Sequence, residues 1–321
     1  MPRGPRLDAP GTLHHVMIRG IEKARIVKDD QDRADFVSRL ATVSKKTGTA
    51  VYAWALLNNH AHILLRSGST GLPGFMRKLL SGYAGSFNRR HHRYGHVFQN
   101  RYKSIVCEED PYFQRLVCYI HLNPLRAGLV RSLEELDGYP WCGHSVIMNR
   151  IKNDWQDRAG VLEYFGATNG RALKAYRQQV EEQSRQGRQP ELTGGGLIRS
   201  MGGWSAVRAR RRQGVREQGD ARILGNSGFV QKVLSQARGL VRYQIAPAAT
   251  LQRLKQEMTK ICRDAGITET LLQSGSRRQP LPELRKKLAH LCVLDFGLSL
   301  AETARRLGVS TSAVARMLER T

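Results

Sequence analysis

The stretch LLNNHAHILLRS, residues 56–67, closes one β-rich run and opens the next. Ahead of it, TAVYAWALLN (49–58) is crowded with β-branched and aromatic residues and reads as a strand. Asn58-Asn59 is a turn signal, and HAHILLRS reads as the returning strand of a hairpin. Side chains alternate faces along a strand, so His60 and His62 share a face while Ala61, Ile63 and Leu65 point to the other. Two imidazoles side by side can hold one divalent metal. Being neutral, they leave its Lewis acidity toward a phosphate oxygen intact. Two histidines that merely alternate in a buried strand give the same spacing, so the surrounding sequence has to decide between these readings.

Working outward, LHHVMIRGI (13–21) reads as a strand and 29–47 as a helix with an acidic first turn, stopped by Gly48. A second helix is predicted over 72–93 and a strand over 97–107. Asp110-Pro111 then opens a helix that ends near Pro124. The order β-α-β-β-α-β-α predicts an α+β, ferredoxin-like split arrangement: an antiparallel sheet with helices on one face. Beyond residue 130 the pattern turns helical. Tyr139-Pro140-Trp141 reads as a closing loop, 171–186 as a polar helix and 187–203 as a glycine-containing linker. Residues 281–320 read as two or three compact helices. The expected domains are 1–145, a connecting region at 146–230, and a helical domain at 231–321.

The 321 residues carry 52 Lys and Arg against 27 Asp and Glu, a net charge of +25. The excess lies on both sides of residue 130, so it is no basic tail. Such a chain attracts polyanions, nucleic acid first and anionic membrane second. No run of about 18 apolar residues exists, and residues 1–16 hold no signal-peptide core, so neither a membrane span nor export is expected. Five cysteines with no CxxC spacing fit reduced thiols in a cytoplasmic protein, and exclude a zinc ribbon or disulfide scaffold. There is no GxxxxGK[ST] loop for nucleotide phosphates.

The second informative stretch is YFQRLVCYIHLNPLRAGLV, residues 112–130. Tyr119 and Asn123, four apart, share one face of a helix, while His121 lies about 200° round from Tyr119. Taken alone, Tyr119 reads equally as a core aromatic and Asn123 as a helix cap. Together, His60-Ala61-His62, the tract GHVFQNRYKS (95–104) and Tyr119-Ile120-His121-Leu122-Asn123-Pro124 resemble the IS200-like single-tyrosine transposases, which are HUH nucleases. Within that family they resemble the REP-associated tyrosine transposases, over about residues 8–145. The small Ala61 is a departure from the bulkier residue common there, and its side chain points away from the histidine face.

The resemblance implies that His60, His62 and Asn123 bind a catalytic Mg²⁺ or Mn²⁺ and that Tyr119 is the nucleophile. A free tyrosine titrates near pH 10 and is a weak nucleophile at neutral pH, so a nearby cation would favour the phenolate. Attack on a DNA phosphodiester would leave a 5′-phosphotyrosine and a free 3′-OH. One ester replaces another, so no ATP is required. Arg89, Arg90, Arg93, Arg101 and Lys103, with Tyr94 and Tyr102 interleaved, are candidate contacts to single-stranded or hairpin DNA.

Residues 300–319, LAETARRLGVSTSAVARMLE, fit a helix-turn-helix. Gly308 falls at the turn. Ser310, Thr311 and Ser312 open the second helix, and Arg305, Arg306 and Arg316 are candidate duplex-DNA contacts. The preceding PELRKKLAHLCVLDFGLS (282–299) resembles the helix leading into the DNA-binding domain of the replication initiator DnaA. The arginines Arg208, Arg210, Arg211, Arg212 and Arg216 form a further basic cluster of no assigned chemistry. The expectation is therefore a metal-dependent transposase that cleaves and rejoins single-stranded or hairpin DNA. Its rivals are a non-catalytic DNA-binding regulator and a rolling-circle initiator-like nickase.

Overall fold

The computed structural model describes residues 7–8, 11–99, 101–187, 189–196, 200, 207, 218–244, 248–276, 278–296, 298 and 300–319. The chain divides into two compact units, one spanning Arg6–Leu234 and the other built from Ser235–Thr321.

The first unit begins with β1 (Leu13–Arg19) and α1 (Asp30–Thr47). The Asp29 side chain accepts the Asp32 N–H to cap α1, and Gly48, at φ 60°, ends it in the left-handed region that glycine tolerates. The hairpin β2 (Ala50–Leu56) and β3 (His60–Arg66) follows. Then come α2 (Gly71–Arg90), β4 (Lys103–Cys107), α3 (Glu109–His121) and the one-turn α4 (Asn123–Arg126). Short helices α5 (Leu133–Gly138), α6 (His144–Ile147) and α7 (Arg158–Glu163) lead to α8 (Asn169–Ser184). The two-residue strand β5 (Ile223–Leu224) precedes α9 (Ser227–Gln244).

The sheet order is β2-β3-β1-β4-β5. The first four strands pair antiparallel as expected, but β5 runs parallel to β4, so the sheet is mixed. The helices also depart from the one-sided arrangement. Val16, Ile18, Trp54, Ile63 and Leu65 pack with α1 and α2, whereas Tyr52, Ala55, Leu64 and Ile105 pack with α3. The physical reason is that both faces of the central strands are apolar, and a sheet buried on both sides requires cover on both. The strand expected over 97–107 is regular only from Lys103. Ahead of it, Val97 O accepts Ile21 N–H and Gln99 N–H donates to Arg19 O, which holds that tract as isolated contacts along the β1 end.

Residues 141–143 and 156–157 cover the β2 edge: Leu56 N–H donates to Trp141 O, and Asp157 N–H to Val51 O. This satisfies an edge that would otherwise expose free backbone groups. Helix α3 is buried along most of its circumference, wedged between the sheet and α8.

The second unit is all-helical: α10 (Ala248–Asp264), α11 (Glu269–Gln273), α12 (Leu281–His290), α13 (Leu300–Leu307) and α14 (Thr311–Glu319). Leu254, Leu272, Leu288, Leu307 and Val314 make its core. Between α13 and α14 the chain turns at Gly308 (φ 64°), whose missing side chain lets it lie against the Gln273 carbonyl. The Ser310 hydroxyl accepts the Ala313 N–H at 3.1 Å and caps α14. No helix among the described residues is long and apolar enough to cross a membrane.

Candidate active site

His60 and His62 share the sheet face that carries Leu64, as the alternation of β3 requires. Their ring centroids are 5.3 Å apart. Met17 of β1 pairs with His62, and Arg19 with His60. His15, two residues before Met17, lies on the same face, its centroid 5.2 Å from that of His62. Helix α3 lays Tyr119 over this row, 6.0 Å from the His62 centroid and 6.1 Å from that of His15, both edge-on. The structure thus gathers the histidine pair and the tyrosine, 57 residues apart between His62 and Tyr119, and adds His15.

Asn123 sits one turn beyond Tyr119, where α3 gives way to α4. Its amide nitrogen donates to Tyr119 O at 2.9 Å and Ile120 O at 3.2 Å, capping the end of α3. Both N–H groups are thereby spent, and Oδ1 is the atom left for a ligand.

Burial sets the electrostatics. It lowers His15 to about 4, with the Leu192 carbonyl opposing and Lys103 reinforcing. It lowers His62 well below the usual imidazole value, aided by His15, His60 and Lys103, and lowers the more open His60, aided by Arg19. The pair is therefore neutral at pH 7 and carries lone pairs for a cation. Burial raises the Tyr119 phenol, while Arg126 works against it and Glu191 with it. The Arg126 guanidinium lies 5.2 Å from the Tyr119 ring centroid.

The hydrogen bonds of the pair test whether it suits a metal. His60 Nδ1 meets Asn59 Oδ1 at 2.7 Å and His62 Nδ1 meets His15 Nε2 at 2.9 Å. Both Nδ1 atoms are engaged, so both Nε2 atoms remain for coordination. Two neutral imidazole nitrogens suit a first-row transition ion such as Mn²⁺ better than Mg²⁺, and the Asn123 amide oxygen, one turn beyond Tyr119, is the hard donor either ion would add. Among the described residues a second group, Asp29, Asp32 and His91, brings ligand atoms within 4.8 Å of one another. Arg90 already occupies it, bonding Asp29 at 2.6 Å and Asp32 at 2.5 Å.

The predicted basic contacts separate. Lys103 lies in the histidine row, opposite Met17 on β4, and its ammonium donates to Thr193 O at 2.7 Å. Arg101 is exposed just before it. Arg89, Arg90 and Arg93 belong to α2 and the turn after it, and α2 packs on the opposite sheet face. Arg89 is exposed, Arg90 is tied into the ion-pair cluster, and Arg93 lies 5.7 Å from the Phe87 ring. In the second unit Arg305 and Arg306 both pair with Glu302, and Thr311 and Arg316 are exposed. The side chain of Ser312 and the arginines Arg208, Arg210, Arg211, Arg212 and Arg216 lie outside the described residues.

Sequence reasoning missed His15, Arg19, Arg126 and the backbone of Leu192. Two signals were available. His15 lies inside a predicted strand two residues from Met17, and Arg126 is seven residues, about two turns, beyond Tyr119. Nothing local marks Leu192. His121 faces away from the site and bonds Tyr176 at 2.7 Å.

The family model described as "Transposase IS200 like" matches residues 11–123, from just before β1 to Asn123. Among solved structures, a REP-associated tyrosine transposase bound to a REP hairpin is similar at 15% identity and TM-score 0.39, covering 49% of this chain and 94% of that one. A transposase-like protein from Deinococcus radiodurans R1 is similar at 14% identity and TM-score 0.27, covering 42% and 96%. No curated protein matches.

Proposed function

We propose, on the match of residues 11–123 to the IS200-like transposase family model, that this chain is a single-tyrosine DNA endonuclease and strand transferase of the REP-associated kind. Its substrate is single-stranded or hairpin DNA. The observation that carries this reading is the Tyr119 ring edge-on to His62 at 6.0 Å, on the sheet face that His60 and His62 share with their Nδ1 atoms already engaged.

Tyr119 Oη attacks the phosphorus, the bond to O3′ breaks, and the 5′-phosphate stays on the tyrosine. The 3′-OH released can reverse the step. Tyr119 rests as a neutral phenol, and the nearby Arg126 cation favours its phenolate. His60, His62 and Asn123 would hold Mg²⁺ or Mn²⁺, which supplies Lewis acidity toward a non-bridging phosphate oxygen. Arg19 and Lys103, on the strands around the histidine row, and Arg101, just ahead of β4, attract the DNA backbone. In the second unit α13, the Gly308 turn and α14 would read duplex DNA, with Arg305, Arg306 and Arg316 on phosphates.

The test is a gel assay with end-labelled hairpin DNA, with and without Mn²⁺. Wild type should give a metal-dependent covalent adduct that Tyr119→Phe abolishes while DNA binding persists. Hairpin binding with no adduct in wild type would favour the DNA-binding regulator.

A further inference from the structure

The metal face rests on an outer layer of partners that fixes which nitrogen of each histidine carries hydrogen. A carbonyl oxygen only accepts. Leu192 O lies 3.0 Å from His15 Nδ1, so that nitrogen is the N–H. His15 is fully buried, and the partners of its two ring nitrogens, Leu192 O and His62 Nδ1, are neutral, so a second proton would place an uncompensated charge in the core. His15 Nε2 is therefore a bare acceptor. His62 Nδ1, 2.9 Å away, must donate to it, and that leaves His62 Nε2 bare.

A parallel chain serves His60. Asn59 Nδ2 donates to Lys23 O at 3.2 Å, which turns Asn59 Oδ1 toward His60 Nδ1 at 2.7 Å. His60 Nδ1 then carries the hydrogen. The turn supplying Lys23 is sharply bent: Glu22 and Lys23 both sit at positive φ, 51° and 64°. It also clasps the hairpin, with Gly20 N–H on Asn59 O and Ile26 N–H on Asn58 O.

We propose that two backbone carbonyls, of Leu192 and Lys23, acting through His15 and Asn59 as positioning residues, lock His62 and His60 with hydrogen on Nδ1 and a bare Nε2 facing a divalent cation. This rests on the reading of the pair as metal ligands. It gives the segment around Leu192, some seventy residues past the family match, a place in the site. That segment is anchored by Lys103 to Thr193 O and by Arg115 to Glu191. Outer partners of this type set ligand orientation and typically govern metal affinity by tenfold to a hundredfold.

The experiment uses the full chain, metal-free, with ¹⁵N-histidine and long-range ¹H–¹⁵N correlation, followed by Mn²⁺ titration. In wild type, both His60 and His62 should show a protonated Nδ1 and an unprotonated Nε2. His15→Gln places an acceptor where Nε2 was. It should keep the His62 tautomer and bind Mn²⁺ within about threefold of wild type. His15→Asn still reaches Leu192 but falls short of His62. It should give a mixed His62 tautomer and Mn²⁺ binding weaker by about tenfold to a hundredfold. Hydrogen on Nε2 of His62 in wild type would overturn the proposal, as would His15→Asn matching His15→Gln. Wild type with the stated tautomers but no Mn²⁺ binding would instead overturn the metal assignment and leave the hydrogen-bond relay standing.

Discussion

Lowering the pH from 7 to 5 should strip about 6 kcal/mol of stability from the Arg6–Leu234 unit. His15, His62 and His121 are all buried, and burial holds each well below the ordinary imidazole value, His15 at about 4. In the unfolded chain each returns to about 6.5. The folded state thus refuses protons that the unfolded state takes up. Stability is full above about pH 6.5 and is lost as pH falls through 6.5 toward the folded values. Integrated from pH 7 to 5, one histidine that stays neutral in the fold costs about 2 kcal/mol, and three cost about 6. A typical domain has about 5–15 kcal/mol to lose. His144 and His60 are shifted the same way and would add to the loss. Asp8 and Asp137 are held below the usual carboxylate range, so they stay ionised across this window. The assay is urea unfolding with chelator present, followed by tryptophan fluorescence. Trp54, Trp141 and Trp155 belong to this unit. A loss under about 2 kcal/mol would refute the reasoning, since it would require these rings to take up protons while folded.

Three further outcomes follow from named contacts. Tyr176→Phe removes the hydroxyl that bonds His121 at 2.7 Å and His144 at 2.5 Å. Leaving two buried ring nitrogens unpaired should cost about 2–4 kcal/mol, read from denaturant midpoints, and a cost below about 1 would mean that the network is dispensable. Arg90→Ala should lower the denaturant midpoint, because it leaves the buried Asp32 without its guanidinium partner, and should leave the salt dependence of hairpin binding unchanged, as filter binding would show. Gly308→Ala forces a Cβ to 2.1 Å from Gln273 O at φ 64°. It should therefore destabilise the second unit by about 2 kcal/mol or more and speed amide exchange in 300–319.

The histidine pair was legible in the sequence because strand alternation is local: once 60–66 is a strand, His60 and His62 must share a face. Tyr119 and Asn123 were legible for the same kind of reason, their spacing on a helix. What met them across space was not. Any of the helix's buried positions offered a plausible contact, and only the packing of α3 selects the edge that puts Tyr119 over His62. The two-sided helical cover was missed because a strand apolar on both faces carries no alternation to reveal which helix covers which face.

The sequence by itself determined the elements: alternation, helix spacing, caps and turn residues act over a few positions, and they placed the two histidines, the tyrosine and the basic charge. Tertiary structure decided what those residues do to one another. It seated His15 behind His62, tied Arg90 to Asp29 and Asp32, and brought the Leu192 carbonyl across 177 residues to His15. A carbonyl has no sequence signature, because every residue carries one. Only the folded path of the backbone can choose which of them sets the tautomer.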